Sequence, residues 1–433
     1  MENRTFRYHR YMIQTDEEEM ECGTYRSFDV PTIHDPSETE AIEFYSLRKE
    51  MECLRAEGVE RGIVAPEDDT HVGFSFGGRE ILALKVGKGS DHKILFTGAV
   101  HAREWIAVEI PFLVAEYLIK NYKESPTTQA EECIKHLLDN RQIWFIPLVN
   151  PDGHEYTITR NRNWRPSRKS YFYEKDFVIC NVPNLSGGCR NILVKAGTYT
   201  GVDINRNFGT ETWGVETNEP VRGEIVTNRD PADSGENSVW CGPEANSETE
   251  TDVIVKLHQE HNFCAGITYH NFSQLILSPD TADGDEFVEQ VGQGMTELIN
   301  DCPQENGFYE FGTTSGVLYA ATGSMMEFTY EQYDNSALSY TPELRPYLRS
   351  YSGEKQYFPN ESWLFSGLPE SQIEPCFREN LGAALALIHC AGYDRVSPLE
   401  KSSPCWKLPQ HGQREEVNCW NVFKGWPQPN NEV

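Results

Sequence analysis

Nowhere in its 433 residues does the chain carry an apolar run approaching the ~20 residues that a membrane-spanning helix needs. Positive charge is also scarce. Lys and Arg number 38 against 67 Asp and Glu, a formal net charge of −29 that would repel nucleic acid and anionic lipid. The 12 cysteines, spread from Cys22 to Cys419, include no Cys-x-x-Cys pair, which removes a zinc ribbon from consideration. Their even number suits either a disulfide-containing secreted protein or scattered thiols. Met1 to Met20 lacks the apolar core of a signal peptide, so no export signal is expected there. Low-complexity tracts are missing as well. What remains, with 38% hydrophobic and 12% aromatic residues, is a globular chain long enough for one large domain or two.

Three apolar segments read as buried strands: Ile94 to Val100, Ile143 to Val149 and Ala265 to His270. A hairpin is expected over 72–86 around Gly77-Gly78. Helical spacing appears over 37–58, 105–122, 247–261, about 285–300 and 372–391. Pro111 inside the second of these should kink that helix or delay its start. Asn150-Pro151-Asp152-Gly153 reads as a turn. Strands are also expected at 326–329 and 337–343. The stretch 160–242 shows little periodicity and reads as irregular chain, which inside a compact domain is usually functional. Alternating strands and helices give an α/β fold, a mixed and mainly parallel twisted sheet with helices on both faces. The chain then divides into a partly helical extension (1–70), a main domain (71–392, with a long insertion at 166–242) and a tail (393–433).

His101 and Glu104 stand where the first buried strand gives way to a helix, so both side chains can turn to one point. A third ligand from elsewhere would complete a catalytic zinc site with one position open to water. Alone the pattern is weak, since about one His-x-x-Glu is expected by chance in an acidic chain with 12 His. His270 and Glu343, however, also follow directly on strand-like runs, and sites in such sheets form beyond the carboxyl ends of strands. A rival donor set, His258, His261 and Cys264, straddles a helix end where His commonly caps the last turn.

His101-Ala-Arg-Glu104-Trp, Asn161-Arg-Asn-Trp164-Arg165, Gly201-Val-Asp-Ile-Asn205-Arg206-Asn-Phe, Tyr269-His270-Asn-Phe-Ser-Gln274, Val317-Leu-Tyr319 and Tyr340-Thr-Pro-Glu343-Leu-Arg-Pro346 occur in that order. Over roughly residues 72 to 392 the chain therefore resembles the zinc metallocarboxypeptidases of the carboxypeptidase A type, for which a His₂Glu zinc set is established. The resemblance implies one zinc ion on His101, Glu104 and His270, Glu343 as general base and Arg165 as oxyanion stabiliser. It implies Asn205 and Arg206 as the grip on a free C-terminal carboxylate, Arg103 as a contact further along the substrate, and Tyr319 as a cap over the bound end. Met326 aligns with the position that selects the terminal side chain, predicting apolar or aromatic ends; a one-residue shift would place Glu327 there and favour basic ends.

The expected partners are peptide or protein C-termini, with no nucleic acid and no membrane, and the enzyme is expected to act as a monomer. Family habit implies secretion, against the N-terminal reading. The chain departs from the pattern in places. Phe272 stands where a Tyr is usual, and the loop from Arg165 to Asn205 is longer than usual. About two extra residues separate Tyr319 from Glu343, and no inhibitory pro-segment of the usual kind is expected in the first 70 residues. A Cys189–Cys241 disulfide is one possible pairing. Two other readings stay open: a zinc amidohydrolase acting on a modified carboxyl terminus, and a catalytically silent module that holds peptide ends.

Overall fold

The computed structural model describes residues 47–68, 70–179, 190–220, 223–301, 308–346 and 373–392, together with two short paired strands, β1 (Ile33–His34) and β2 (Ala41–Ile42). The proposed tail lies outside the described residues, as do Cys180 and Cys189. Helix α1 occupies Leu47–Glu60 and falls within the expected helical span from residue 37; Ala41–Ile42 is strand, and 37–40 and 43–46 lie outside the described residues. The expected hairpin forms from β3 (His71–Phe74) and β4 (Glu80–Leu82), and β5 (Leu84–Val86) follows.

The first buried strand is β6 (Lys93–Gly98), leading to α2 (Ile106–Asn121). Pro111 neither delays nor ends this helix. The carbonyl that loses its helical N–H partner to Pro111 is that of Ala107. It packs against Gly98, where a Cβ would stand 1.9 Å from the Ala107 oxygen. The helix is accommodated because that strand position has no side chain.

Helix α3 (Gln129–Asn140), which the apolar pattern did not reveal, is closed by a full capping box between Thr128 and Glu131. After β7 (Gln142–Ile146), the expected turn at Asn150 is instead the start of α4 (Pro151–Thr159). Asn150 is its N-cap, accepting from Gly153 N at 2.9 Å, and Pro151 takes the first helical position, where its missing N–H costs nothing. The reading of 160–242 as irregular is also corrected. It holds a long antiparallel hairpin, β8 (Ser170–Ile179) with β9 (Arg190–Thr200), and a small one, β10 (Thr217–Asn218) with β11 (Ile225–Thr227).

Helix α5 (Thr249–His261) leads into β12 (Ala265–Asn271) and β13 (Leu275–Ser278). Then come α6 (Glu286–Asn300), β14 (Glu310–Thr313), the short α7 (Thr314–Val317) and α8 (Met325–Gln332). Residues 326–329 are thus helical rather than extended, because Ser324 caps this turn by accepting from Glu327 N at 3.2 Å. Strand β15 (Leu338–Leu344) and helix α9 (Ile373–Cys390) complete the described chain.

Seven strands form the central mixed sheet in the order β14-β13-β15-β12-β6-β7-β5. The β15-β12-β6-β7 centre is parallel, while β13 against β15 and β5 against β7 run antiparallel. Both faces are buried, and the period of two in the strands assigns residues to them. Ile94 and Phe96 of β6 join the core under α1, α2, α3, α6 and α9, whereas Leu95 joins the opposite core with Ile254, Leu257 and Phe328 of α5 and α8. From β6 the chain leads to β7 on one side and later returns to β12 on the other. A crevice therefore opens at the carboxyl end of β6, as expected of an α/β sheet whose strand order reverses.

One buried cluster beside this frame makes stability sensitive to pH. Glu250, in the first turn of α5, is fully buried and accepts from Phe76 N at 3.2 Å. Burial, aided by the Glu248 carboxylate, pushes its pKa from 4.5 up to about 8. The folded chain thus keeps a proton that the unfolded chain loses above about pH 4.5. Stability from this group is complete below that point and is lost as pH rises toward 8, by up to a few kcal/mol. Thermal melts of wild type and Glu250→Gln between pH 5 and 8 should show a shallower decline in the variant; parallel declines would reject this assignment.

Among the described cysteines, Cys53 and Cys133 are disulfide-bonded, while Cys241, Cys264, Cys376 and Cys390 are buried free thiols. The suggested Cys189–Cys241 pairing is therefore not formed.

Candidate active site

The turn that places the first site residues begins just past β6. Ala99 adopts φ 47°, a left-handed conformation costly for a residue with a Cβ. It is held there by Asn150 N donating to Ala99 O at 3.2 Å. Asn150 does more than cap α4, since its Nδ2 donates to Val100 O at 3.2 Å and to Pro166 O at 2.9 Å. Ala102 N donates to Arg165 O at 2.9 Å. The segments carrying His101 and Arg165 are thereby clamped side by side.

His101, Glu104 and His270 converge, all buried, with one ligand atom from each within 4.8 Å of the others. Glu104 bridges the two rings. His101 Nδ1 lies 2.7 Å from its Oε1, His270 Nδ1 lies 2.8 Å from its Oε2, and the two Nδ1 atoms are 3.0 Å apart. Two imidazole nitrogens at that separation, in water-excluded surroundings, call for a proton or a cation between them. Burial disfavours charge on Glu104, but the two imidazoles outweigh it and hold the carboxyl well below its usual range. Burial lowers His101, with Arg165 adding to the effect; His270 is raised despite burial, because Glu104 faces it. Two neutral-capable imidazoles and one carboxylate are a donor set that suits zinc, and the convergence of their free atoms fits such an ion.

The His101 ring is oriented from behind by a carboxylate, as metal-binding imidazoles usually are. His101 Nε2 lies 3.2 Å from Asp203 Oδ1, and His270 Nε2 lies 3.5 Å from Asn205 Nδ2. Asp203, which the sequence reading passed over, is a hub. Its Oδ2 accepts from Arg165 Nε at 3.0 Å and Nη2 at 2.8 Å, and its Oδ1 from Asn205 N at 2.9 Å. Burial alone would favour a neutral Asp203, but Arg165 and Arg206 keep it ionised. Only its place inside the Gly201–Phe208 motif hinted at this role.

Glu343 reaches the same crevice through strand register, since it is the Cα partner of His270 across the parallel β12–β15 pair. Burial pushes its pKa up to about 8, with His270 acting in the opposite direction. At the other end, Arg206 is buried and donates through Nε to Val226 O at 2.6 Å and through Nη1 to Asn205 O at 2.9 Å. The Tyr319 ring centre lies 6.0 Å from its guanidinium carbon. Asn205 Oδ1 accepts from Met325 N at 2.9 Å. Met326 is buried in a small apolar cluster with Leu275, Leu277, Val317 and Leu318, whereas the Glu327 carboxylate is taken up by Asp280 N at 2.7 Å and by the Thr281 hydroxyl. Arg103 donates to Asn163 O at 3.2 Å and to Asn237 Oδ1.

The rival donors do not assemble. His258 Nε2 pairs with Thr329 Oγ1 at 3.2 Å between aromatic rings, and the His261 ring lies 4.5 Å from that of Trp144. Among the described residues, the one group of three or more metal-type donors is His101, Glu104 and His270.

Carboxypeptidase B of Astacus astacus is 29% identical over 315 residues, covering 71% of this chain and 84% of that protein. Carboxypeptidase O of Bos taurus is 26% identical over 327 residues, covering 73% and 71%. The match spans smaller shares of other relatives, 56% of murine carboxypeptidase A4 and 64% of canine carboxypeptidase B. In fold, the chain is similar to carboxypeptidase A from Helicoverpa armigera, with TM-score 0.57 at 23% identity, over 80% of this chain and 75% of that one. It is equally similar to bovine thrombin-activatable fibrinolysis inhibitor in complex with tick carboxypeptidase inhibitor, with TM-score 0.57 at 22% identity, over 80% and 96%. The zinc carboxypeptidase family model matches residues 69–383, most of the chain, and the protein belongs to that family of hydrolases.

Proposed function

We propose that this protein is a zinc-dependent carboxypeptidase that hydrolyses the C-terminal peptide bond of peptides or proteins and favours apolar or aromatic terminal residues. The observation that carries the reading is a crevice holding His101, Glu104 and His270 together, with Glu343 one strand away and Arg206 at its end. A zinc ion on His101, Glu104 and His270 would acidify a water molecule and polarise the scissile carbonyl. Glu343 takes the proton of the attacking water and returns it to the leaving amine nitrogen. Its burial favours this exchange, because a carboxyl pushed up toward neutrality holds and releases a proton readily.

Arg165 is locked by Asp203 through Nε and Nη2. It presents its Nη1 end to the oxygen on which negative charge develops, and needs no rearrangement to do so. Arg206, held through Nε and Nη1, offers Nη2 to the substrate carboxylate beside Asn205, and Tyr319 covers the bound end. Arg103 contacts the substrate further from its end.

The terminal side chain enters beside Met326, whose flexible thioether adapts to apolar shapes. The engagement of Glu327 by Asp280 and Thr281 supports that placement over a basic-end pocket. Peptides ending in Phe, Leu, Lys and Arg, incubated with and without a chelator, test the reading by mass spectrometry. Loss of a single terminal Phe or Leu, abolished by the chelator, is expected. Preference for Lys or Arg would overturn the role of Met326, and chelator-resistant or internal cleavage would overturn the reading as a whole.

A further inference from the structure

Two parts of the site, the cation that grips the substrate carboxylate and the loop that carries the capping tyrosine, are both anchored on one short strand of the 166–242 insertion. Arg206 donates to Val226 O of β11 at 2.6 Å, and the bond is buried. The next residue, Thr227, is fully buried, and its Oγ1 accepts from Thr322 N at 3.2 Å, three residues beyond Tyr319. Thr322 replies through its own hydroxyl, which donates to Val215 O at 2.9 Å.

The loop is pressed onto the Arg206 segment at Gly323 as well. Phe208 N donates to Gly323 O at 3.1 Å, and a Cβ on Gly323 would stand 2.3 Å from Arg206 O. Gly323 also has φ +73°, so the close approach and the backbone conformation both select glycine.

We propose that Thr227 is a positioning residue for substrate binding. Through adjacent groups on β11 the strand sets the distance between Arg206 and the Tyr319–Gly323 loop, and hence the width of the slot that receives the terminal carboxylate and its side chain. The inference rests on the carboxypeptidase reading above. It concerns ground-state grip on the substrate end, which neither Val226 nor Thr227 touches, so its signature is a change in KM with kcat preserved.

The full chain with Thr227→Val keeps the shape of the side chain but removes the acceptor, while Thr227→Ser keeps the acceptor. For a free-acid peptide ending in Phe, Thr227→Val is expected to raise KM about three- to tenfold, the equivalent of one buried hydrogen bond, and to leave kcat within about twofold. Thr227→Ser should restore the wild-type KM. Should Thr227→Val fail to fold, Thr227→Ala, which likewise removes the acceptor, is expected to give the same KM-only change.

An unchanged KM in a folded Thr227→Val or Thr227→Ala protein would overturn the proposal. So would a Thr227→Ser protein as impaired as Thr227→Val, since that would mark a packing effect. Wild-type enzyme is assayed in parallel on the free acid and its amide. Equal rates on the two would overturn the underlying reading and this inference together, whereas a preserved preference with unchanged variant KM overturns this inference alone.

Discussion

Glu343→Gln is expected to fold, to bind zinc as wild type does, and to lose about 10²–10⁴-fold in kcat, the usual contribution of a general base. The amide is nearly the same size and shape, so β15 keeps its register with β12 and His270 keeps its place. What it cannot do is accept a proton. The expected effect is large because Glu343, half-buried, is the register partner of His270 and its carboxyl is pushed up to about 8. Zinc stoichiometry by metal analysis, a thermal melt and a turnover measurement on one preparation check the three parts together. Near-wild-type kcat in a zinc-loaded variant would remove Glu343 from the mechanism. Loss of zinc with loss of activity would instead make it part of the metal site.

Amidation of the substrate is the second large effect. Peptides with a free C-terminal acid should be cleaved about 10²-fold faster, or more, than the same peptides as amides. A carboxylate can accept two charge-assisted hydrogen bonds from a guanidinium, and an amide carries no charge and one poorer acceptor. Arg206 is buried at that point, so an amide leaves its cation underpaired in surroundings where water does not compensate. Arg206→Ala should slow the free acid and shrink the gap between acid and amide, because the discriminating cation is gone. Equal cleavage of both substrates by wild type would exclude a carboxypeptidase. Binding of free-acid peptides with no product at any time would mark a silent peptide-end module.

Much of the scaffold was legible because its signals are local. The runs at 94–100, 143–149 and 265–270 are apolar on both faces, as strands between two helical layers must be, and they became β6, β7 and β12. The expected helices over 247–261, 285–300 and 372–391 appear as α5, α6 and α9. Errors arose where local pattern is ambiguous. Met326 to Thr329 is too short a run to distinguish periods of 2 and 3.6, and the Ser324 cap decided for helix. Asn-Pro-Asp-Gly serves equally well as a turn or as a capped helix start, and the bonds of Asn150 to Val100 and Pro166 decided for the latter.

The sequence by itself determined the α/β class, the strand ends that carry His101, His270 and Glu343, and the order of motifs that marks a zinc carboxypeptidase. It could do so because burial and periodicity are written into neighbouring residues. Only the tertiary structure decided that Asp203 holds both His101 and Arg165, and that Glu327 is occupied by Asp280 and Thr281 while Met326 faces an apolar cluster. It alone showed that Thr227 meets Thr322, 95 positions along the chain. A lone Asp or Thr has many possible partners, and which of them it finds depends on how distant segments are brought together, a property that no local pattern encodes.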